Sequence, residues 1–150
     1  MNTPLLRRAT AEDLNLLPAL DDLCFDDSWS AKLWQQMLGN TRRYLCWLPV
    51  GERPLGFVLF SQVLDEAELM RIGVHPQARG QGLARSMLLE AQGMLEQRGV
   101  GAFYLEVRDS NSVAQSLYRS CGWHKSGRRR GYYPTEDGSE DALLFNRLLD

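Results

Sequence analysis

The chain has 150 residues, 44% of them hydrophobic and 24% charged, with a formal charge of −2. That is one domain's length with enough apolar material for a core, and it sits too near neutrality for a general nucleic-acid binder. Cys24, Cys46 and Cys121 form no CxxC pair, no apolar run reaches the ~18 residues of a membrane span, and Met1 to Asp13 lacks a signal-peptide core, so one soluble cytoplasmic domain over 1–150, without zinc, is expected.

LLRRAT reads as a short first strand. Thr10 then caps a helix, with Asp13 reaching back as in a capping box and Leu14, Leu17 and Leu20 buried. Ser30 caps a second helix carrying Leu33, Trp34, Met37 and Leu38 at helical spacing, ended by Gly39 and Asn40. CFDDSWS between them is a loop with aromatic and acidic content. YLCWLPV, LGFVLFSQVL and AELMRIGV are strand-like runs joined by short polar breaks, so an antiparallel meander follows. Gly73, inside the last run, marks a bulge or a close approach of another backbone, or is a harmless sheet glycine.

Leu83, Met87, Leu88, Ala91, Met94 and Leu95 make the apolar stripe of a long helix that starts near Gly82 and ends before Gly99. GAFYLEV is a strand with few interruptions and therefore central. SNSVAQSLYRSCGW gives a polar break and a short helix with Val113, Leu117 and Tyr118, closed by Gly122. HKSGRRRGYYPTEDGSEDALLFNRLL reads as two strands around a turn-rich PTEDGSED loop. Without the strict alternation of a doubly wound sheet, the fold class is α+β (mixed α/β).

HPQARGQGLARSMLLEA carries the strongest chemical signal. Glycines at a helix N-terminus let an anion approach unpaired N–H groups at the positive end of the helix dipole, so a phosphate or pyrophosphate is the expected ligand. A P-loop needs GxxxxGK[ST], which is missing. A Rossmann turn has GxG in Gly80-Gln81-Gly82 and an acid in Glu106, but Arg85 replaces its third glycine and five residues separate Val74 from Gly80. The third reading is the Q/RxxGxG/A signature of the GNAT acyltransferases, matched by Gln77, Gly80 and Gly82. A packing role for the glycines is the alternative to all three.

Four ordered blocks, VLDEAELMRIGVHP, QARGQGLARSML, LEVRDSNSVAQSLYRSCGW and RRRGYYPTEDGSEDALLF, resemble the RimI type of the GNAT superfamily, the ribosomal-protein-alanine N-acetyltransferases. The first sixty residues match less well: the family's FPWS-like segment stands here as FDDSWS. The resemblance implies a single mixed, largely antiparallel sheet of about seven strands with about four helices, splayed between strands four and five. It implies acetyl-CoA as cosubstrate and no metal. Its pantetheine arm would pair with Ile72, Gly73 and Val74, a bulge near Gly73 aiming one N–H at the thioester oxygen as an oxyanion donor. Its pyrophosphate would rest on the amides of Arg79, Gly80, Gln81, Gly82, Leu83 and Ala84, with Arg85 nearby, and Asn111 would contact it by side chain or serve as a helix cap.

Transfer to an amine requires that the amine lose a proton and that the leaving thiolate gain one. The resemblance puts the general base at Glu106, although a strand-end carboxylate paired with Arg108 or another cation is the plain alternative. Direct abstraction from an amine near ~7.7 to 8.0 by a carboxylate is uphill without desolvation or a water relay. Tyr118 is the candidate acid, otherwise a packing residue. Trp29, Tyr132 and Tyr133 match substrate-side positions, and the tyrosines could equally be core. Asp26 and Asp27 are placed to attract a basic peptide tail. His75 and His124 read as solvated loop residues. Lys125 and Arg128 to Arg130 form an exposed basic run that could touch RNA or a phosphate.

The activity implied is transfer of acetyl from acetyl-CoA to the α-amine of an alanine-starting ribosomal protein, by direct attack in a ternary complex, since no Cys-His nucleophile pair is present. The partner is then a ribosomal protein's N-terminal segment, the membrane is excluded, and a monomer is favoured. A lysine or small-amine acetyltransferase and a non-catalytic acyl-CoA binder are the alternatives.

Overall fold

A computed structural model describes residues 5–149. Its seven strands form one sheet in the order β1-β2-β3-β4-β5-β7-β6. The strands are β1 (Leu6–Arg8), β2 (Tyr44–Pro49), β3 (Gly56–Val63), β4 (Glu66–Val74), β5 (Ala102–Arg108), β6 (His124–Thr135) and β7 (Gly138–Leu148). Every neighbouring pair is antiparallel except β4 with β5. Helices α1 (Leu17–Cys24) and α2 (Ala31–Gly39) cover one face, and α3 (Leu83–Gln97) and α4 (Ser112–Ser120) the other. The expected mixed sheet and four helices are therefore what forms.

Strands β2 and β3 read as continuous apolar runs because both their faces are covered. Leu45, Trp47, Val58 and Phe60 point into the core under α3, whereas Cys46, Leu48, Phe57 and Leu59 point into the core under α1 and α2.

The helix expected to run on from Thr10 is divided. Residues Ala11–Asn15 form a 3-10 turn and α1 begins only at Leu17. Pro18 has no N–H to give to a carbonyl one turn back, so an unbroken helix cannot pass it, and it sits instead in the first turn of α1. The capping box does form: the Thr10 N–H donates to Asp13 Oδ2 at 2.7 Å. Leu17 and Leu20 are buried as expected, but Leu14 only partly. In the last hairpin the turn shrinks to Glu136 and Asp137, between the paired Thr135 and Gly138.

Two irregularities shape the centre of the sheet. Between β3 and β4 the register slips so that Phe60 faces Leu69 and Leu59 faces Arg71, leaving Met70 as the extra residue of a bulge. The bulge expected near Gly73 thus lies three residues earlier. Strands β4 and β5 pair only over Glu66↔Ala102, Ala67↔Phe103 and Glu68↔Tyr104, then part. From Leu69 onward β4 has no strand beside it on that side. The bulge sits where the two strands diverge, bending β4 away and opening a wedge between Met70–Val74 and Leu105–Arg108.

Candidate active site

The wedge opens into a cleft of about 790 Å³. It is lined by Ile72, Gly73, Val74, Arg79, Gly80, Gly82, Leu83, Ala84 and Arg85 on one side, and by Glu106, Asn111, Tyr118 and Tyr133 on the other. Residues far apart in the sequence, most of them named by the family resemblance, thus share one space. Gln81, Trp29 and Tyr132 do not line it. Gln81 turns into a neighbouring hollow with Leu55 and Ser86.

His75 donates its N–H to the Leu55 carbonyl at 2.7 Å, so by antiparallel alternation Gly73 directs its peptide groups toward β3 and Ile72 and Val74 direct theirs into the wedge. The Gly73 carbonyl oxygen agrees, lying 2.9 Å from where a Cβ on Gly56 would stand. The open donors are therefore those of Ile72 and Val74, and Gly73 is not among them. Its lack of a side chain matters for another reason: a Cβ there would come 2.8 Å from Phe57 Cε1 and 3.1 Å from Phe25 Cε2. The close approach inferred at Gly73 is by aromatic rings. The Val74 carbonyl already accepts from Arg79 Nε at 3.1 Å.

At the mouth of the wedge Gly80 (φ +77°) and Gly82 (φ +80°) both adopt the left-handed conformation that side-chain-bearing residues avoid. A Cβ on either would meet nothing within 4 Å. Packing does not require these glycines; the path of the backbone does. Gly82 caps α3 without any side-chain acceptor, and no acidic residue lies in the helix's first turn. The leading N–H groups of a four-turn helix are thereby left facing the cleft with Arg85 beside them, an arrangement suited to a diphosphate. Asn111 is a helix cap: its Oδ1 accepts the Ala114 N–H at 3.1 Å, which leaves its side-chain N–H groups for a ligand.

Two proton-active groups flank the wedge. Glu106 is partly exposed and lies 3.4 Å from Arg129 Nε. The cation beside it is Arg129 from β6, whereas Arg108 pairs with Glu140 at 3.2 Å and stacks over Tyr133 at 4.3 Å. Tyr118 is 7% exposed and packs against Trp123 and Phe145. Burial, with a smaller contribution from Tyr133, pushes its phenol up to about 12. A phenol so placed keeps its proton and is held as a hydrogen-bond donor toward a departing sulfur, although complete transfer to a thiolate, the weaker base, is uphill. Burial also pushes the Cys24 thiol up, which leaves this cleft residue a poor nucleophile.

The opposite wall was hardly visible in the sequence. Asp21, fully buried on α1, accepts from Arg71 Nε at 2.8 Å, from the Trp34 indole at 3.1 Å and from the Trp29 N–H at 2.8 Å. Arg71 lies 4.0 Å from the Phe25 ring centre and 4.8 Å from that of Trp29, and reaches Asp27 at 3.2 Å. Trp29, expected to touch substrate, thus contacts the cleft only through Arg71. The aromatic and acidic content of CFDDSWS was the one signal of this cluster. Tyr132 and Tyr133 are not core: Tyr132 is 48% exposed beneath Arg129, and only Tyr133 reaches the cleft.

The remaining candidates find structural roles. His75 is a cap whose Nδ1 accepts the Gln77 N–H at 3.0 Å, and so is not a free loop residue. Arg128 is held by Asp109 and Asp141, and Arg129 by Glu106, so most of the triple-arginine run is tied down internally. Burial and the nearby Glu106 raise Glu68 on β4, and burial and the same carboxylate raise Tyr133 on β6. No cluster of metal-binding side chains occurs among the described residues, and no helix there is long and apolar enough to cross a membrane.

The sequence profile of the acetyltransferase (GNAT) family matches residues 12–123. The chain is 43% identical over 118 residues, 78% of each chain, to a protein of Escherichia coli K12 named [ribosomal protein bS18]-alanine N-acetyltransferase. It is 42% identical over 119 residues to the protein of that name in Salmonella typhimurium. The crystal structure of the ribosomal-protein-S18-alanine N-acetyltransferase from Escherichia coli superposes with a TM-score of 0.88 at 36% identity, covering 100% of this chain and 95% of that one. A plant structure, Arabidopsis thaliana NAA60 with a bisubstrate analogue, shares the fold at TM-score 0.84 and 19% identity, covering 97% of each chain. With its glycine turn, parted parallel strands and matching profile, the chain belongs to the acetyltransferase (GNAT) family.

Proposed function

We propose that this chain transfers the acetyl group of acetyl-CoA to the N-terminal α-amine of an alanine-starting ribosomal protein. The observation that carries the reading is the wedge itself, with unpaired helix amides at its mouth, open strand amides along one side, and Glu106 and Tyr118 across from them. The relatives' names supply the acceptor class.

Acetyl-CoA supplies an activated thioester. The α3 turn around Gly80 and Gly82 holds the diphosphate, the Arg85 guanidinium adds charge, and the Ile72 and Val74 main chain aligns the pantetheine arm. In this reading the Ile72 N–H, just beyond the bulge, donates to the thioester oxygen as negative charge grows there. Glu106 takes the proton from the acceptor amine, directly or through a water, and Tyr118 delivers a proton to the departing sulfur. The attack is direct, in a ternary complex. The acceptor enters between the Phe25–Trp29 segment and the stretch of β6 around Tyr133, where the pairing with β7 shifts register between Arg129 and Tyr133, and the protein works as a cytoplasmic monomer without metal.

Incubation with labelled acetyl-CoA and a ribosomal protein mixture, read by mass spectrometry, tests this. Label on an N-terminal alanine, abolished by a blocked N-terminus, is the expected result. Label on lysine side chains or on small amines instead would transfer the reading to another acceptor class, and binding without turnover would make the chain an acyl-CoA sensor.

A further inference from the structure

The Asp21–Arg71 pair has a position that packing alone does not explain. Strand β4 is otherwise apolar where it borders the cleft, yet it places a guanidinium there whose side chain is only 10% exposed. Its counter-ion, Asp21, is completely buried and also holds the Trp29 N–H and the Trp34 indole. The guanidinium is stacked on Phe25 and Trp29, accepts no role toward Glu106 or Tyr118, and donates to both the carbonyl and the carboxylate of Asp27. Every contact it makes is with α1 or the segment that follows it. That segment has no regular secondary structure of its own between the end of α1 at Cys24 and the start of α2 at Ala31.

We propose that Arg71, anchored by Asp21, is a positioning residue that fixes the Phe25–Trp29 segment as the acceptor-side wall of the cleft and thereby sets affinity for the acceptor peptide, leaving coenzyme affinity alone. The physical basis is a division of labour. The segment is too short and irregular to hold one conformation by main-chain bonds, so a delocalised cation stacked on two rings and anchored by the buried Asp21 supplies the rigidity, the exposed Asp27 adding little. A wall held in place before binding does not have to be ordered by the peptide, which is where affinity is gained. The proposed diphosphate turn before α3 meets this region at Cys24, the end of α1, where Arg79 donates to the carbonyl at 3.5 Å and lies beside the thiol, away from Asp21 and the two rings.

The inference rests on the proposed acceptor reading, and its test separates the two. Removing Arg71 alone leaves Asp21 buried and uncompensated, which endangers folding. The informative protein is the double variant Arg71→Met/Asp21→Asn, in which both charges go and the Asn oxygen still accepts from the two tryptophans; Arg71→Lys is the conservative control. The double variant should raise KM for an alanine-starting peptide about tenfold, with KM for acetyl-CoA and kcat at saturating peptide changed less than twofold, and Arg71→Lys should recover about half of that loss on a logarithmic scale. Hydrogen exchange at Phe25–Trp29 should accelerate in the double variant while α3 stays protected. An unchanged peptide KM, or equal rises in both KM values, overturns the proposal. If the parent enzyme ignores the alanine peptide but acetylates another amine, the acceptor reading falls, and the same pair of KM values, taken with that amine, still decides the role of Arg71.

Discussion

One side of the cleft offers peptide groups and the other offers side chains. Around Gly80 and Gly82 and along Ile72–Val74 the chain presents N–H groups whose directions follow from backbone conformation, with two left-handed glycines and one bulge doing the aiming. On the proposed acceptor side the contacts come from side chains of Cys24–Trp29 and Arg71, joined to each other by an ion pair and ring stacking, and of Arg129–Tyr133, which stacks within itself and is tied to Glu106. The contrast bears on how each half can vary. A main-chain site constrains sequence only where a backbone angle excludes other residues, and does so at fixed spacing. A side-chain wall can be rebuilt from other residue types without disturbing the fold, which suits it to setting the acceptor class.

The largest effects should come from the two groups at the junction of these halves. Tyr118→Phe keeps the ring packed against Trp123 and Phe145 but removes the proton donor, so kcat should fall on the order of 10²-fold or more with KM for acetyl-CoA unchanged. Parent-like turnover in that variant removes Tyr118 from the chemistry. The pH dependence has a definite sign. With the phenol at about 12, raised by burial, Tyr118 stays protonated through the neutral and mildly alkaline range, so rate should not decline there on its account. Its contribution to stability is complete below the unfolded value of about 10 and is lost as pH climbs through about 12. A Tyr-dependent fall in single-turnover rate near pH 8 would contradict this. Glu106→Gln should lower kcat/KM by roughly 10² or more, measured with a peptide of unblocked N-terminus, and should leave acetyl-CoA binding intact.

The contrast also accounts for what was legible in the sequence. The glycine turn, the stripe of α3, the GAFYLEV strand and the SNSV cap could be read because each satisfies a local rule of backbone geometry or periodicity. The bulge could not be placed, since register between β3 and β4 depends on pairing across the sheet: Gly73 drew attention, while Met70, an ordinary strand residue, carries the irregularity. The acceptor wall escaped for a related reason. Asp21 and Arg71 are fifty positions apart, and neither residue alone differs from a solvated surface charge in a linear reading. Likewise Gln92 looks like a polar gap in the α3 stripe, yet it is buried and accepts the Trp123 indole N–H at 2.6 Å. Only long-range partners turn such residues into interior ones.

A middle-sized effect separates the halves directly. Gly82→Ala places a side chain at φ +80°, which costs about 1 to 2 kcal/mol of backbone strain even though the Cβ meets no neighbour. If the turn relaxes, the α3 amides lose their common aim. Affinity for acetyl-CoA, measured by calorimetry, should drop about tenfold while peptide KM moves little. A variant that is destabilised but binds coenzyme normally would show that the glycine serves folding alone.

The smallest effect is expected at Asp26 and Asp27, on the rim of the acceptor wall. Asp27 is 82% exposed in its side chain and already shares Arg71, so only a fraction of its charge is available to a passing peptide. In water an exposed pair contributes about 1 kcal/mol or less, and salt near physiological strength screens it beyond ~8 Å. Replacing both residues with Asn should therefore raise KM for a basic N-terminal peptide only about two- to fivefold. It should have no effect on a neutral peptide, and the difference should shrink as salt is added. Equal losses for basic and neutral peptides would instead assign the aspartates to holding the wall, Asp27 through Arg71, and an unchanged KM for both would remove the rim charge from recognition altogether.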